Sequence, residues 1–266
     1  MLTFARLCLP LCWLLSVESV SIHFNLTRRD VSNLIPLSMV EDSIDDMYFG
    51  CSEEMMKTVT HKYPEELDVG PYADTLKKEE VKNCVEKNLK EKEDEALTKT
   101  HMEALCSYTS NYVYKEFNTA VRTNRGVYTS SFQFHILHFF LTSAIQILNN
   151  KNYCYTTYRR TNVVFTGNVN QRIRFGSFSS SSFRTDLQNF GKKSCFKITT
   201  CTGAYLKRYS VYGEKEEEVL IPPYEVFSIT EKHDKNKLPE LKDCGVVFVL
   251  KSEGGQSRLN CKIAHI

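Results

Sequence analysis

The sequence lacks several features that mark whole classes of protein. Its 34 basic and 32 acidic side chains leave a formal net charge of +2, which is too small to predict binding to nucleic acid or to an anionic membrane surface. None of its ten cysteines belongs to a Cys-x-x-Cys pair, the spacing typical of zinc sites. No repeat of constant period is visible, which argues against solenoids and propellers. The composition, 42% hydrophobic and 25% charged, is that of an ordinary globular protein.

Long apolar runs are also scarce, and the first one is informative. Residues 7–17 (LCLPLCWLLSV) follow a short basic start, and Ser19 and Ser21 provide small side chains for a cleavage site. Because the run is too short to span a bilayer, we expect residues 1–21 to be a secretory signal peptide, removed together with the only tryptophan, Trp13. The final residues, NCKIAHI, do not resemble a lipid-anchor signal. We therefore expect a secreted, extracellular protein with no transmembrane segment after signal removal.

The cysteines that follow the signal agree with an oxidising compartment. An even number of cysteines in a secreted chain predicts disulfide bonds, although spacing alone does not say which cysteines pair. Asn25-Leu26-Thr27 is an acceptor sequence, and Asn25 would carry an N-linked glycan in the secretory pathway. The eight cysteines are Cys51, Cys84, Cys106, Cys154, Cys195, Cys201, Cys244 and Cys261.

Helical and strand-like patterns occupy different halves of the remaining chain. Apolar stripes predict helices over residues 76–99, Glu103–Arg122 and Phe132–Leu148, the last of them buried. From Lys151 onward, short β-rich runs alternate with Gly, Asn, Ser and Pro clusters. We expect an α+β fold in which residues 22–266 form a single domain. The predicted strands are Cys154–Tyr158, Val163–Phe165, Ile173–Phe175, Cys195–Thr200, Val219–Ile221, Tyr224–Ile229 and Val246–Leu250.

Two histidines lie three residues apart on the third predicted helix, a spacing seen in metal sites. His135 and His138 have no carboxylate or third ligand close to them in the sequence. We therefore expect no metal ion there.

Two motifs in the strand-rich half carry side chains suited to ligand binding. Arg159, in Tyr158-Arg159-Arg160, ends a predicted strand, and the planar donors of an arginine match two oxygens of a phosphate or carboxylate. Four serines, Ser179 to Ser182, lie between two phenylalanines. Without other context the serines indicate a flexible loop, whereas in a strand their alternate hydroxyl groups would point inward.

An acidic run is the third motif. Residues 214–218 (EKEEE) lead directly into Val219-Leu220-Ile221, so we expect the last of them to extend that strand. Glu216 and Glu218 would then face the same side. Two carboxylates on one face repel each other unless a cationic ligand or transition state uses them. A solvated acidic surface and a functional pair are equally compatible with the pattern.

In this order, the three motifs resemble the R-S-E signature of arginine-specific mono-ADP-ribosyltransferases of the vertebrate ecto-enzyme type. Arg159 follows an aromatic residue, Ser180-Ser181-Ser182 matches a Ser-x-Ser strand, and Glu216-Glu217-Glu218 precedes Val-Leu-Ile-Pro-Pro. The resemblance extends over nearly all of the mature chain, from Asp45-Asp46-Met47-Tyr48 to Leu259-Asn260-Cys261. It implies a helical N-terminal half and a strand-rich half of two packed sheets that enclose an NAD cleft, stapled by disulfide bonds.

The resemblance implies a role for each matching residue of the signature. Arg159 would hold NAD, with its guanidinium near the phosphates. Ser180 would lie beside the ribose and keep the catalytic glutamate oriented. Glu218 would hydrogen-bond the 2′-hydroxyl of the nicotinamide ribose, and Glu216 would engage the incoming arginine.

Positions outside the signature are less regular. Phe190 matches an aromatic residue that packs on nicotinamide in the family, and Tyr108 would line the same cleft. Arg160 stands where many relatives have glycine, so the affinity for NAD depends on whether the backbone there accommodates a side chain. Arg184 would either reach the pyrophosphate or lie at the surface.

The resemblance also implies two disulfide bonds. One would join the ends of the chain as Cys51–Cys261, and the other would cross the strands as Cys154–Cys201. The remaining four cysteines allow three pairings, which stay open.

The expected activity is the transfer of ADP-ribose from NAD, as co-substrate, to arginine side chains of extracellular proteins, with no metal ion. Breaking the bond to nicotinamide leaves positive charge on the ribose, which a fixed carboxylate stabilises. The acceptor guanidinium is protonated in water, and a second carboxylate can bind it and help to remove a proton. Two alternatives remain open: an NAD glycohydrolase with water as acceptor, and a catalytically inactive secreted binding protein on the same fold.

Overall fold

Helices dominate the N-terminal half and strands the C-terminal half of the computed structural model, which describes residues 34–264. This arrangement confirms the predicted α+β class. The predicted signal peptide over residues 1–21 and the glycosylation acceptor Asn25 lie outside the described residues. The helices are α1 (Ser52–Lys62), α2 (Pro71–Leu76), α3 (Glu79–Lys90), α4 (Lys99–Thr109), α5 (Tyr114–Thr123) and α6 (His135–Leu148).

Two of the predicted helices are shorter or broken. The first ends at Lys90, because Asp94 beyond it turns away to accept hydrogen bonds from Tyr209 and Lys207. The prediction of one helix over Glu103–Arg122 is wrong, because Ser110 adopts an extended conformation that separates α4 from α5.

The helical layer packs around α6, which is buried along most of its length and contacts both α1 and α4. His135, at its first turn, shares hydrogen bonds with the Glu66 carboxylate and the Tyr128 carbonyl oxygen, both at 2.8 Å. His138 lies 2.6 Å from the Tyr48 hydroxyl oxygen. Both histidines therefore belong to the hydrogen-bonded core of the helical layer.

The strands form two sheets. Eight of them lie in the order β4-β9-β10-β6-β2-β5-β8-β7, and β1 pairs with β3 in a small parallel sheet. Within the larger sheet, β10 runs parallel to β6 and the other pairs are antiparallel. The strands are β1 (Leu34–Pro36), β2 (Tyr155–Thr161), β3 (Val164–Thr166), β4 (Arg172–Ile173), β5 (Ser179–Ser182), β6 (Ser194–Thr200), β7 (Ala204–Tyr205), β8 (Glu218–Ile221), β9 (Glu225–Asp234) and β10 (Val246–Gly255).

Two neighbouring strands of the larger sheet are paired over a very short length. Strands β2 and β5 are joined through the single residue pair Tyr158↔Ser182, whereas β2 pairs with β6 along its whole length. The serine run is therefore a strand and not a loop. It stands next to the end of β2 on one side and to β8 on the other. This junction brings the three motifs of the sequence together.

Four disulfide bonds join the cysteines of residues 34–264. Cys51–Cys261 and Cys154–Cys201 are the two pairs that the resemblance implied. Of the three pairings left open, the structure contains Cys84–Cys106, which joins α3 to α4, together with Cys195–Cys244. Cys51–Cys261 closes a sequence separation of 210 residues and so restricts the unfolded chain strongly.

A buried ion pair connects the segment before α1 to both the sheet and the C-terminal segment. The Arg174 guanidinium contacts the Asp45 carboxylate, and the two side chains are 2% and 1% exposed. The same carboxylate accepts hydrogen bonds from the backbone N–H groups of Arg258 and Leu259, at 3.0 and 3.1 Å. Asp45 therefore organises three segments that are distant in sequence.

We expect Asp45→Asn to lower the free energy of unfolding by about 3–5 kcal/mol, because it leaves the Arg174 charge buried without its partner. Chemical denaturation measures this change. Glu253→Gln is the matched control, since it removes the carboxylate of the exposed pair with Arg172 and should change stability by less than about 1 kcal/mol. Equal losses in the two variants would contradict the importance of the buried pair.

Candidate active site

A cleft of about 590 Å³ opens where β2 and β5 meet the break between α4 and α5. This volume lies within the range of roughly 300–1,000 Å³ that is usual for small-molecule sites. All six site residues predicted from the sequence line the cleft. They are Tyr108, Arg159, Ser180, Phe190, Glu216 and Glu218.

Arg159 enters the cleft from β2. Its Nη1 donates a hydrogen bond to the carbonyl oxygen of Ser180 on the neighbouring strand. Burial lowers the pKa of the guanidinium from its ordinary value, and the nearby Glu218 carboxylate partly counteracts this effect. The guanidinium is thus held at the wall of the cleft as a fixed positive charge.

Arg160 points the other way, as the alternation of a strand requires. Its guanidinium binds the Asp243 carboxylate in a bidentate contact at 3.0 and 3.1 Å and also donates to the Thr185 carbonyl oxygen. Its backbone is ordinary strand, with no positive φ. The backbone therefore accommodates the arginine that stands in place of the family glycine, and its side chain lines the cleft without filling it.

Glu218 is the first residue of β8 and is only 6% exposed. Burial raises the pKa of its carboxyl group to about 7, and the repulsion from Glu216 adds to the increase. Hydrogen bonding from the Ser180 and Ser210 hydroxyl groups and the charge of Arg159 act in the opposite direction. The carboxylate is therefore surrounded by groups that hold it in place but only partly compensate its charge.

Glu216 does not lie on the strand, and that part of the prediction is wrong. It ends a short 3-10 turn, Gly213–Glu216, and Glu217 then adopts a left-handed conformation with φ of 44° before β8 begins. The left-handed residue interrupts the strand, so the alternation that was expected to align the two glutamates does not apply. Glu216 is nevertheless half-buried in the same cleft, where burial raises its pKa.

Phe190 stands at the rim, 47% exposed, in the short 3-10 turn Gln188–Phe190. The next residue, Gly191, has φ of 133°, and a Cβ there would lie 2.2 Å from the carbonyl carbon of Thr161. Only glycine allows this turn to approach the end of β2 so closely. The close approach sets the aromatic ring beside the cleft.

Tyr108 contributes the floor of the cleft from α4. Its hydroxyl donates to the Phe178 carbonyl oxygen at 2.9 Å and faces the Asn118 amide at 3.2 Å. Burial raises the pKa of the phenol to about 12. The side chain is therefore a neutral, fixed surface at neutral pH.

Three further residues contact the site and were not assigned to it from the sequence. Ser210 contacts Glu218, and the Asn111 amide donates to the Tyr212 hydroxyl at 2.7 Å, which ties the break between α4 and α5 to the loop before Glu216. Asn111 was placed inside a predicted helix, and the contacts of Ser210 and Tyr212 depend on segments distant in sequence, so no local pattern reveals them. Arg184, for which the sequence left the pyrophosphate and the surface open, also lines the cleft.

The donor set of the cleft suits a dinucleotide. One fixed guanidinium is available for phosphate oxygens, hydroxyl and carboxylate groups for a ribose, and an exposed aromatic ring for a flat base.

Within residues 34–264, no group of three His, Cys, Asp or Glu side chains is arranged to hold a metal ion. Across the same residues, no helix has the length and hydropathy needed to span a membrane.

A family model described as NAD:arginine ADP-ribosyltransferase matches residues 37–242. This protein belongs to that family. Among curated relatives, ecto-ADP-ribosyltransferase 4 of Mus musculus is 32% identical over 86% of this chain and 77% of the relative. Ecto-ADP-ribosyltransferase 5 of Bos taurus is 36% identical over 76% of this chain and 68% of the relative.

A solved structure agrees with the sequence comparisons. A variant of the eukaryotic mono-ADP-ribosyltransferase ART2.2 in complex with NADH has a TM-score of 0.70 and 27% identity, over 85% of this chain and 98% of the other. Another variant of the same enzyme has been solved in complex with NAD. The predicted family, fold class and enzyme class are confirmed, as is NAD as the co-substrate.

The raised pKa of Glu218 makes stability depend on pH. Between about 4.5 and about 7 the folded protein binds the proton more tightly than the unfolded chain, so folding is destabilised as pH rises through this window. Glu218→Gln removes the effect and should raise the free energy of unfolding at pH 8 by up to about 3 kcal/mol, with little change at pH 5. Thermal unfolding at both pH values measures this difference.

Glu217→Gln is the control for this prediction, because Glu217 is an exposed neighbour of the same charge. It should leave the melting temperature nearly the same at both pH values. A Glu218→Gln protein that is no more stable than wild type at pH 8 would show that the carboxylate is not desolvated.

Proposed function

We propose that this enzyme transfers ADP-ribose from NAD to arginine side chains of extracellular proteins and releases nicotinamide. The observation that carries the proposal is the convergence of Glu216, Glu218 and Arg159 on one cleft. A hydrolase needs one carboxylate at the ribose, whereas transfer to a guanidinium has a use for two. The half-buried Glu216 therefore favours transfer over hydrolysis.

Arg159 and Ser180 would bind and orient the dinucleotide. The guanidinium is fixed by its hydrogen bond to the Ser180 carbonyl oxygen and has further donors for phosphate oxygens. The Ser180 hydroxyl acts on the Glu218 carboxylate, which supports a role in orienting it. Phe190 at the rim would cover the nicotinamide end of the cleft.

Glu218 would stabilise the charge that develops during the reaction. Cleavage of the bond from nicotinamide leaves positive charge on the ribose. A carboxylate that is desolvated in the free enzyme interacts with that charge more strongly than a solvated one does, and it is already positioned. The ionised form is the active one, so the enzyme must lose the Glu218 proton before the reaction.

Glu216 would receive the acceptor. Its carboxylate reaches the cleft from a loop and not from the strand. A protonated guanidinium is a poor nucleophile, and a carboxylate with a raised pKa is suited to bind it and to accept its proton. In this proposal Glu218 stabilises the charge on the ribose, and Glu216 binds the acceptor arginine.

We propose further that residues 1–21 are a signal peptide and that residues 22–266 are the catalytic domain, secreted with a glycan on Asn25. Two observations support this part of the proposal. The structure contains four disulfide bonds, which persist in oxidising compartments. The relatives described above are named as ecto-enzymes.

Incubation of the mature protein with labelled NAD and agmatine, a small guanidine, tests the reaction. We expect ADP-ribosyl-agmatine from wild type and a loss of at least about 100-fold in Glu218→Gln, because the stabilising charge is removed. In Glu216→Gln, transfer to agmatine should fall by a similar factor while nicotinamide release to water continues. Product formation and nicotinamide release are measured in the same samples by chromatography.

Glu214→Gln is the control for these variants, since Glu214 lies in the same acidic run but is exposed and does not line the cleft. It should retain wild-type transfer. Persistent transfer in Glu218→Gln, or wild-type release of nicotinamide that no guanidine acceptor captures, would contradict the proposed transferase.

The pH dependence of the reaction should follow Glu218. Below about 7 the carboxyl group is protonated in the free enzyme, so kcat/KM for NAD should fall about tenfold for each further unit of pH. Nicotinamide release without an arginine acceptor measures this and avoids the contribution of Glu216. A value of kcat/KM that stays constant between pH 5 and 8 would contradict the assignment.

A further inference from the structure

The loop that carries Glu216 is fixed to the serine strand by three consecutive residues. The Ser182 hydroxyl donates to the Glu216 carbonyl oxygen, and the Phe183 N–H donates to the Glu217 carbonyl oxygen at 3.2 Å. Arg184 Nη1 donates to the Lys215 carbonyl oxygen at 2.8 Å. The backbone carbonyl groups of residues 215–217 are thus held by residues 182–184, which lie at the end of β5 and directly after it.

Arg184 is the one long side chain among these donors, and all of its nitrogens are engaged. Nε and Nη2 bind the Asp186 carboxylate at 2.9 and 2.8 Å, and Nη1 reaches the Lys215 carbonyl oxygen. The carboxylate compensates the positive charge at close range. Compared with Arg159, this guanidinium is therefore poorly suited to attract the phosphates of the dinucleotide, although it lines the same cleft.

The arrangement contributes little to overall stability. The side chains of Arg184 and Asp186 are 38% and 65% exposed, and water screens the attraction between such exposed charges. The hydrogen bond from Arg184 to the Lys215 carbonyl oxygen acts locally, because it fixes the peptide group next to Glu216. The charge of Arg184 also acts directly on Glu216 and lowers its pKa against the effect of burial.

We propose that Arg184, oriented by Asp186, is a positioning residue that holds the Glu216 loop in the geometry that selects a guanidine over water as the acceptor. The inference rests on the function proposed above, in which Glu216 receives the arginine. A displaced carboxylate near the reacting atoms is enough to lower the rate of transfer, since errors of about 1 Å can reduce rates by roughly 100-fold. Water needs no such alignment, so hydrolysis is expected to persist.

The test compares Arg184→Ala, Arg184→Lys and wild type in three measurements: kcat/KM for agmatine, nicotinamide release without acceptor, and KM for NAD. In Arg184→Ala, the ratio of transfer to hydrolysis should fall by about 10-fold or more, with KM for NAD within about twofold of wild type. Arg184→Lys should recover part of the ratio, because its ammonium group can still donate to the Lys215 carbonyl oxygen.

Arg172→Ala is the matched control, since Arg172 forms an exposed ion pair with Glu253 and does not line the cleft. It should leave the ratio unchanged. An increase in KM for NAD at constant ratio in Arg184→Ala would overturn the proposal, because it would assign the guanidinium to the dinucleotide. Parallel losses of transfer and hydrolysis with a lower melting temperature would overturn it in favour of a structural role.

The two proposals fail in different ways. If wild type does not modify agmatine, the proposed transferase function is contradicted. If wild type modifies agmatine and Glu216→Gln loses that activity, but Arg184→Ala keeps the wild-type ratio, then only the positioning role of Arg184 is contradicted.

Discussion

The chemistry of the site rests on the Glu218 carboxylate, which is buried at the start of β8. The charged form of Glu218 is unfavourable in the folded protein, because the chain removes it from water and offers only partial compensation. Ser180 and Ser210 hold it by hydrogen bonding, and Arg159 stands close enough to influence its pKa. The ionised Glu218 carboxylate lowers the stability of the folded protein. It is in place to stabilise the positive charge that appears on the ribose only during the reaction.

The surrounding elements serve to fix this charge. The larger sheet narrows to a single residue pair between β2 and β5, and that junction places the motif arginine beside the motif serine. The break after α4 is tied to the loop before Glu216 through Asn111 and Tyr212. Ser182 and Arg184 hold the same loop from the end of β5. The acceptor glutamate therefore lies on irregular backbone that two separate segments anchor.

Much of the site could be predicted from the sequence, because its chemistry lies on strands. In a strand, alternation alone separates Arg159, which faces the cleft, from Arg160, which pairs with Asp243. The order of arginine, serine and glutamate along the chain carried the family resemblance, and with it two of the disulfide pairs. The presence of helices before strands was readable from apolar spacing.

The features of the site that could not be predicted depend on contacts between distant segments. The left-handed conformation of Glu217 is not encoded by an acidic run, so Glu216 was placed on a strand that begins two residues later. The helical pattern continues across Ser110, although that residue is extended and the helix ends before it. For Arg184 the sequence left the pyrophosphate and the surface open, and its contact with the Lys215 carbonyl oxygen depends on a segment distant in sequence.

The protonation of the Glu218 carboxyl group decides whether the site works as proposed. Carbon-13 NMR of the protein labelled at glutamate carboxyl groups, with the Glu218 resonance assigned by its loss in Glu218→Gln, gives the pKa of that group in solution. We expect a value of about 7 in the free enzyme, and a lower one with NAD bound, since the cationic nicotinamide favours the charged form. A Glu218 carboxyl group that titrates at the ordinary value of about 4.3, unaffected by NAD, would contradict the proposed role of Glu218.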